Sequence, residues 1–327
     1  MLKIIARRCF SFSYKYGILT SHLEHLIGIK ELATLLESKE NVKVLDCSFY
    51  FPEENKDAIA EHIKNRIPTS IHFDLNQLTT RRGPNPYMLP NVDQFASYAQ
   101  KLNLRTTDHV ICYDQTGIYI APRIWWTLKY FGFENVRVLD GGFPKWIELG
   151  LPTVKDTPEV ITEGVKDKFK VDKNMRADFK RVRTMEILIN RKLILDHIID
   201  FRHVNYSETS EPIKDPTVKR DCIYGAINIP PQSLFNEDKI TLKSPKELYF
   251  YFVDSKLDLT KPLVAYSRTN IGACVGLLGL AHASADKIAL YDGSWLQYVT
   301  KPVYKPGAEM PGPEEFEREV KETLEDD

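Results

Sequence analysis

Three strand-end motifs recur along the chain at almost one interval, so the chain must adopt a fold that can be built twice. Val44-Leu45-Asp46 matches Ile198-Ile199-Asp200, Cys112-Tyr113-Asp114 matches Ala265-Tyr266-Ser267, and Leu139-Asp140-Gly141-Gly142 matches Tyr291-Asp292-Gly293-Ser294. The offsets are 154 (200 minus 46), 153 (267 minus 114) and 152 (292 minus 140). Anchors this evenly spaced predict a duplicated domain. A length of 327 residues accommodates two units of ordinary size.

Each copy alternates short β-rich runs with amphipathic stretches. Strands are predicted at 43–49, 70–75, 109–114 and 136–140, then at 194–201, 226–230, 263–267 and 287–292. Helical periodicity covers 91–103, 119–132, 244–255 and 271–283. This alternation predicts an α/β fold in which each copy is a mainly parallel sheet flanked by helices. The expected organisation is a mitochondrial transit peptide at 1–23, a first domain at 24–154, a lysine-rich linker at 155–178, a second domain at 179–308 and an acidic tail at 309–327. The leader carries Lys3, Arg7, Arg8 and Lys15 with no acid before Glu24; a basic disordered N-terminus is the plainer reading of it.

The 44 basic and 45 acidic residues nearly cancel, which leaves no global field for nucleic acid or anionic lipid. Any anion site must be local. The uncharged stretch Ile271 to Ala285 in the second copy falls short of the ~20 residues of a membrane helix and reads as a buried one. Five scattered cysteines without a CxxC pair argue against a disulfide framework or a cysteine-built zinc site. No cofactor or metal is expected.

In open parallel sheets, ligands bind where a strand's carboxyl end turns into a helix N-terminus. The loop that meets this description in the second copy is Ser267-Arg268-Thr269-Asn270-Ile271-Gly272. Its backbone amides and the following helix dipole offer positive potential to an anion. Asp114 stands at the matching place in the first copy.

The run Ser267 to Cys274, with Tyr291-Asp292-Gly293-Ser294-Trp295, resembles the active-site region of the tandem-domain rhodanese family, the thiosulfate and 3-mercaptopyruvate sulfurtransferases. The resemblance extends through Val44 to Pro52, His62 to Asp74, Tyr87 to Pro90, Ala121-Pro122-Arg123 and Leu139 to Trp146, then Asp200-Phe201-Arg202, Gly225 to Pro230 and Lys243-Ser244-Pro245. It implies two rhodanese-like domains, an inert first copy bearing aspartate, and a second copy whose first loop position carries a persulfide-forming cysteine. Loop amides and a helix dipole suit that chemistry because they stabilise a thiolate. Here the position holds Ser267, whose oxygen cannot store sulfur in an S-S bond. The family's substrate-binding arginine falls on Asn205, its loop lysine on Thr269, its loop glycine on Asn270, and a histidine on Cys222; Arg268 keeps the loop's cationic character.

The alternatives are plain. Ser267 lacks a Gly-x-Ser-x-Gly elbow and a placed histidine, so a hydrolase nucleophile is a poor reading. Cys274 lies about two helical turns further on and Cys112 lies within an apolar strand; both read as core. Cys47 and Cys222 stand near strand ends with exposure open. Arg268 is an anion ligand or a solvated residue, and Arg202 binds substrate or pairs with a carboxylate. Trp125, Trp126, Trp146 and Trp295 read as packing. The expectation is therefore a sulfurtransferase homologue without persulfide turnover, binding a small sulfur-containing anion or a protein partner. A sulfurtransferase using another cysteine, and a binding module in a mitochondrial assembly, are the rival readings.

Overall fold

The computed structural model describes residues 25–38, 41–78, 85–156, 164, 166–190, 192, 196–203 and 222–300. The leader, Asn205 and the acidic tail lie outside these residues. The first half builds β1 (Leu26–Ile27), β2 (Val42–Asp46), β3 (Ile71–His72), β4 (His109–Tyr113) and β5 (Val136–Leu139), ordered β1-β5-β4-β2-β3. The second builds β6 (Arg176–Ala177), β7 (His197–Asp200), β8 (Ile227–Asn228), β9 (Leu263–Tyr266) and β10 (Ile288–Tyr291), ordered β6-β10-β9-β7-β8. All pairings are parallel. The second order is the first one repeated, and the registers agree: Asp46 faces Tyr113 as Asp200 faces Tyr266.

The central strands read easily because a sheet covered on both faces needs continuous apolar side chains, and β9 is buried at every position. The expected helices form at Val92–Lys101, Ala121–Tyr130, Pro245–Asp254 and Ile271–His282. Local capping fixes where they begin. Ser244 accepts from the Glu247 amide while Glu247 returns a bond to the Ser244 amide, with Pro245 at the first helical position. The edge strands β1 and β6 escape sequence reading, whereas the equally short edge strands β3 and β8 fall inside the runs expected at 70–75 and 226–230. β6 falls inside the stretch expected to be linker, yet it pairs with β10.

Two helices that occupy the same place in each half, Ala121–Tyr130 and Ile271–His282, pack against each other. Trp125, Leu128, Cys274 and Leu277 belong to one continuous core that spans both halves. Ile271–His282 is apolar on every side, as a helix enclosed by a sheet and a second domain must be. A Cβ on its Gly276 would stand 2.3 Å from the Phe201 ring, so glycine is what lets strand β7's end pack there. Trp125, Trp126, Trp146 and Trp295 are buried as expected.

The halves also exchange matching hydrogen bonds. Asp140 at the end of β5 accepts from the Leu242 amide at 3.0 Å. Asp292 at the end of β10 accepts from the Leu89 amide at 3.0 and 3.1 Å. The interface is thus an approximate two-fold contact within one chain.

Candidate functional site

The turn from β9 into helix Ile271–His282 places Ser267 through Gly272 at the carboxyl end of the second sheet. Ser267 is 3% exposed, and its Oγ has no hydrogen-bond partner. Its backbone is pinned: the Ser267 amide donates to Ser294 Oγ at 3.2 Å, and the Trp295 amide donates to the Ser267 carbonyl at 2.9 Å. Asn270 caps the helix at φ 77 with no side-chain cap bond. It tolerates the left-handed region better than most residues do. Its Nδ2 donates to the Asp292 carbonyl at 2.6 Å and to Asp292 Oδ1 at 3.1 Å, which holds the turn in shape. Arg268 is exposed, Thr269 and Gly272 are half-buried, and Ile271 is buried. The structure therefore brings the six loop residues together at one helix N-terminus.

The first half shows what such a turn holds. Asp114 is fully buried, and its carboxylate accepts from the Tyr119, Ile120 and Ala121 amides at 2.9–3.0 Å and from the Thr116 amide and hydroxyl at 3.1 and 2.9 Å. An anion sits in the cradle as part of the chain. In the second half the helix starts at Ile271, four residues after Ser267, where the first half's starts at Ala121, seven after Asp114. The shorter loop begins on an alcohol instead of a carboxylate.

Arg202 resolves toward the carboxylate pairing. Its Nε donates to Asp200 Oδ1 and Oδ2 at 2.9 and 3.0 Å, and Nη2 donates to Oδ2 at 2.6 Å. The guanidinium carbon lies 4.2 Å from the Trp295 ring centre. Tyr266 completes this group by donating to Asp200 Oδ2 at 2.7 Å. Asp292, Ser294 and Trp295 are the site residues that loop reading missed. Their motif was visible in the sequence, but their bonds to Leu89, Ser267 and the Arg202 face come from tertiary contacts. A cleft of about 270 Å³ beside them is lined by Met88, Arg176, Lys180, Asp292 and Gln297 among others.

Cys47, Cys112 and Cys274 are buried, whereas Cys222 is half-buried. Burial pushes the Cys274 thiol up to about 12, against the pull of the Arg123 guanidinium. Burial likewise raises the Cys47 thiol well above its ordinary value, with Cys112 adding to the rise. Thiolates at these positions are scarce at neutral pH. In the folded chain, iodoacetamide should label Cys222 about a hundredfold or more faster than Cys47, Cys112 or Cys274, whose labelling requires local opening. Peptide mapping by mass spectrometry measures this, and equal rates would contradict the burial pattern.

Duplicated parallel sheets, each with a central strand that turns into a central helix, define the class: an α/β protein built from two rhodanese-like domains. A family model described as a rhodanese-like domain matches residues 29–149. The chain is 32% identical over 264 residues to a 3-mercaptopyruvate sulfurtransferase of Mus musculus, covering 80% of this chain and 86% of that protein. It is 33% identical over 268 residues to a thiosulfate sulfurtransferase of Gallus gallus, covering 81% and 89%. Among solved structures, the sub-stoichiometric sulfur transferase subunit of yeast mitochondrial complex I superposes with a TM-score of 0.73 at 26% identity, covering 86% of this chain and 98% of that one. The chain belongs to the tandem-domain rhodanese family of thiosulfate and 3-mercaptopyruvate sulfurtransferases.

Proposed function

We propose that this member binds a small sulfur-containing anion, of the thiosulfate or mercaptopyruvate type, against the Ser267–Gly272 loop without turning it over through a persulfide. The observation that carries the reading is the hydroxyl of Ser267 at the head of the loop. Sulfur transfer by this family's route needs a thiolate that accepts a sulfane sulfur and yields it to cyanide or a thiol, and an alcohol oxygen does neither. Backbone donors do not depend on the side chain, so an anion cradle outlasts the loss of its nucleophile. Cys274, seven residues on, is buried and its thiol is pushed up to about 12, which makes it a poor substitute.

One observation favours a second reading. Cys222 is half-buried, and its neighbour Ile223 donates its amide to Tyr266 Oη at 3.2 Å, which places that thiol's segment beside the Tyr266, Asp200 and Arg202 group. The test is a sulfur-transfer assay with thiosulfate and with 3-mercaptopyruvate as donors and cyanide and a small thiol as acceptors. The rate should not exceed buffer. Turnover abolished by Cys222→Ser would establish the second reading, and turnover that survives it would overturn both.

The basic leader composition and the likeness to a complex I subunit support mitochondrial residence and a role within an assembly. Co-migration of the chain with complex I on native gels of mitochondria tests that role.

A further inference from the structure

A second polar cluster lies in the first half, away from the Ser267 loop. β2 and β3 pair in parallel with Asp46 opposite His72, and helix Ala58–Lys64 brings His62 over the same strand ends. Asp46 and His62 are buried at 0% and 1% exposure, and His72 is half-buried. Ser48 holds Asp46 Oδ1 through its amide at 3.1 Å and its hydroxyl at 2.5 Å, which turns Oδ2 toward His62 Nδ1 at 2.8 Å. The three residues each offer one donor atom within 4.8 Å of the other two.

The simplest account of this cluster is a buried ion pair, the counterpart of Asp200 with Arg202 in the second half. That account explains Asp46 and His62 but leaves two atoms over. His62 Nε2 and His72 Nδ1 are buried with no hydrogen-bond partner. An unsatisfied polar atom in a protein interior costs about 1–3 kcal/mol. Asp46 Oδ2 and His62 Nδ1 stand 2.8 Å apart, so an ion that takes the place of the proton between them accepts both as ligands, with His72 Nδ1 as the third and the neutral His62 ring carrying its proton on Nε2. Two imidazoles with a carboxylate match the preferences of zinc-like ions, and bonds of about 2.1 Å place tetrahedral ligands roughly 3.4 Å apart. Side-chain rotation can contract the 4.8 Å spread to that separation.

We propose that Asp46, His62 and His72 bind one divalent transition-metal ion of the zinc class. The ion ties β2, β3 and the intervening helix together in the first half, and it takes no part in chemistry at the Ser267 loop. Calorimetric titration of the EDTA-treated full chain with Zn²⁺ should show one equivalent bound. Co²⁺ should give the visible absorption of a low-coordinate site. His62→Gln and His72→Gln should each weaken Zn²⁺ binding by about tenfold or more, with circular dichroism in EDTA confirming that the variants fold. If His62→Gln unfolds because Asp46 loses its partner, His72→Gln and the Co²⁺ spectrum of the native chain decide. Absence of Zn²⁺ binding, or equal affinity in His72→Gln, would overturn the site and leave ordered water as the satisfier of those nitrogens.

Discussion

Replacing Ser267 by cysteine should create a thiol that ionises readily at neutral pH yet transfers sulfur at least about a hundredfold more slowly than an active family member assayed alongside. The new sulfur takes the place of an Oγ that is 3% exposed and unpartnered at a helix N-terminus. Burial alone would raise its pKa, as it does for Cys274. At this position the amides and the dipole oppose that, and helix N-termini lower cysteine pKa values to roughly 3.5–7.5. The matching cradle holds the Asp114 carboxylate with five donors, which pull its carboxyl down against a burial that still leaves it above the ordinary value. Nucleophilicity is only half the requirement. An anionic donor held loosely forfeits the proximity term, which supplies several kcal/mol in well-oriented reactions. Arg202 is engaged with Asp200, and Thr269 and Asn205 carry no charge. Adding Asn205→Arg and Thr269→Lys should raise turnover more than additively, because the family resemblance implies that these positions act with Ser267 on one transition state. Iodoacetamide rates against pH and a cyanide-acceptor assay separate the two effects. Full turnover from Ser267→Cys alone would show the serine to be the site's sole defect.

Asp292→Ala should cost about 3–5 kcal/mol of stability, the range found when one partner of a buried charged network is removed. Its carboxylate is 0% exposed and receives hydrogen bonds from the Leu89 amide and Asn270 Nδ2 at 3.0–3.1 Å, with Arg176 Nε in ion-pair contact at 3.1 Å and Arg123 Nη2 at 3.9 Å. Alanine would strand a buried amide from the other half and a buried cation together. Asp140→Ala, the symmetry mate, removes one bond to Leu242 from a more open setting and should cost only about 1 kcal/mol. Urea unfolding of both variants measures the contrast. Equal losses would mean that Asp292 serves only as the interface partner Asp140 is, and that the cluster around Asn270 adds nothing.

The duplication, the central strands and the loop were legible because each rests on local pattern: apolar β-rich runs, strand-end motifs and a strand-to-helix turn. Asn270 stands where the family's loop has glycine, and its backbone takes the left-handed region at φ 77, so the turn a glycine would favour survives the substitution. What stayed hidden is long-range. Leu89 and Asp292 are 203 positions apart, and no spacing rule predicts that meeting. His62 and His72 appear in the sequence as one helical and one strand residue. Only β2–β3 pairing and the helix packed over it bring them together beside Asp46.

The Asp114 cradle makes the two halves unequal toward solutes in a way their shared topology conceals. A carboxylate tethered through its own backbone faces the loop amides at an effective concentration far above that of any dissolved salt. A free anion entering the first half must displace a competitor that cannot diffuse away. On the proposed function, covalent structure confines external anions to the second half, and one aspartate makes a symmetric scaffold asymmetric toward solutes.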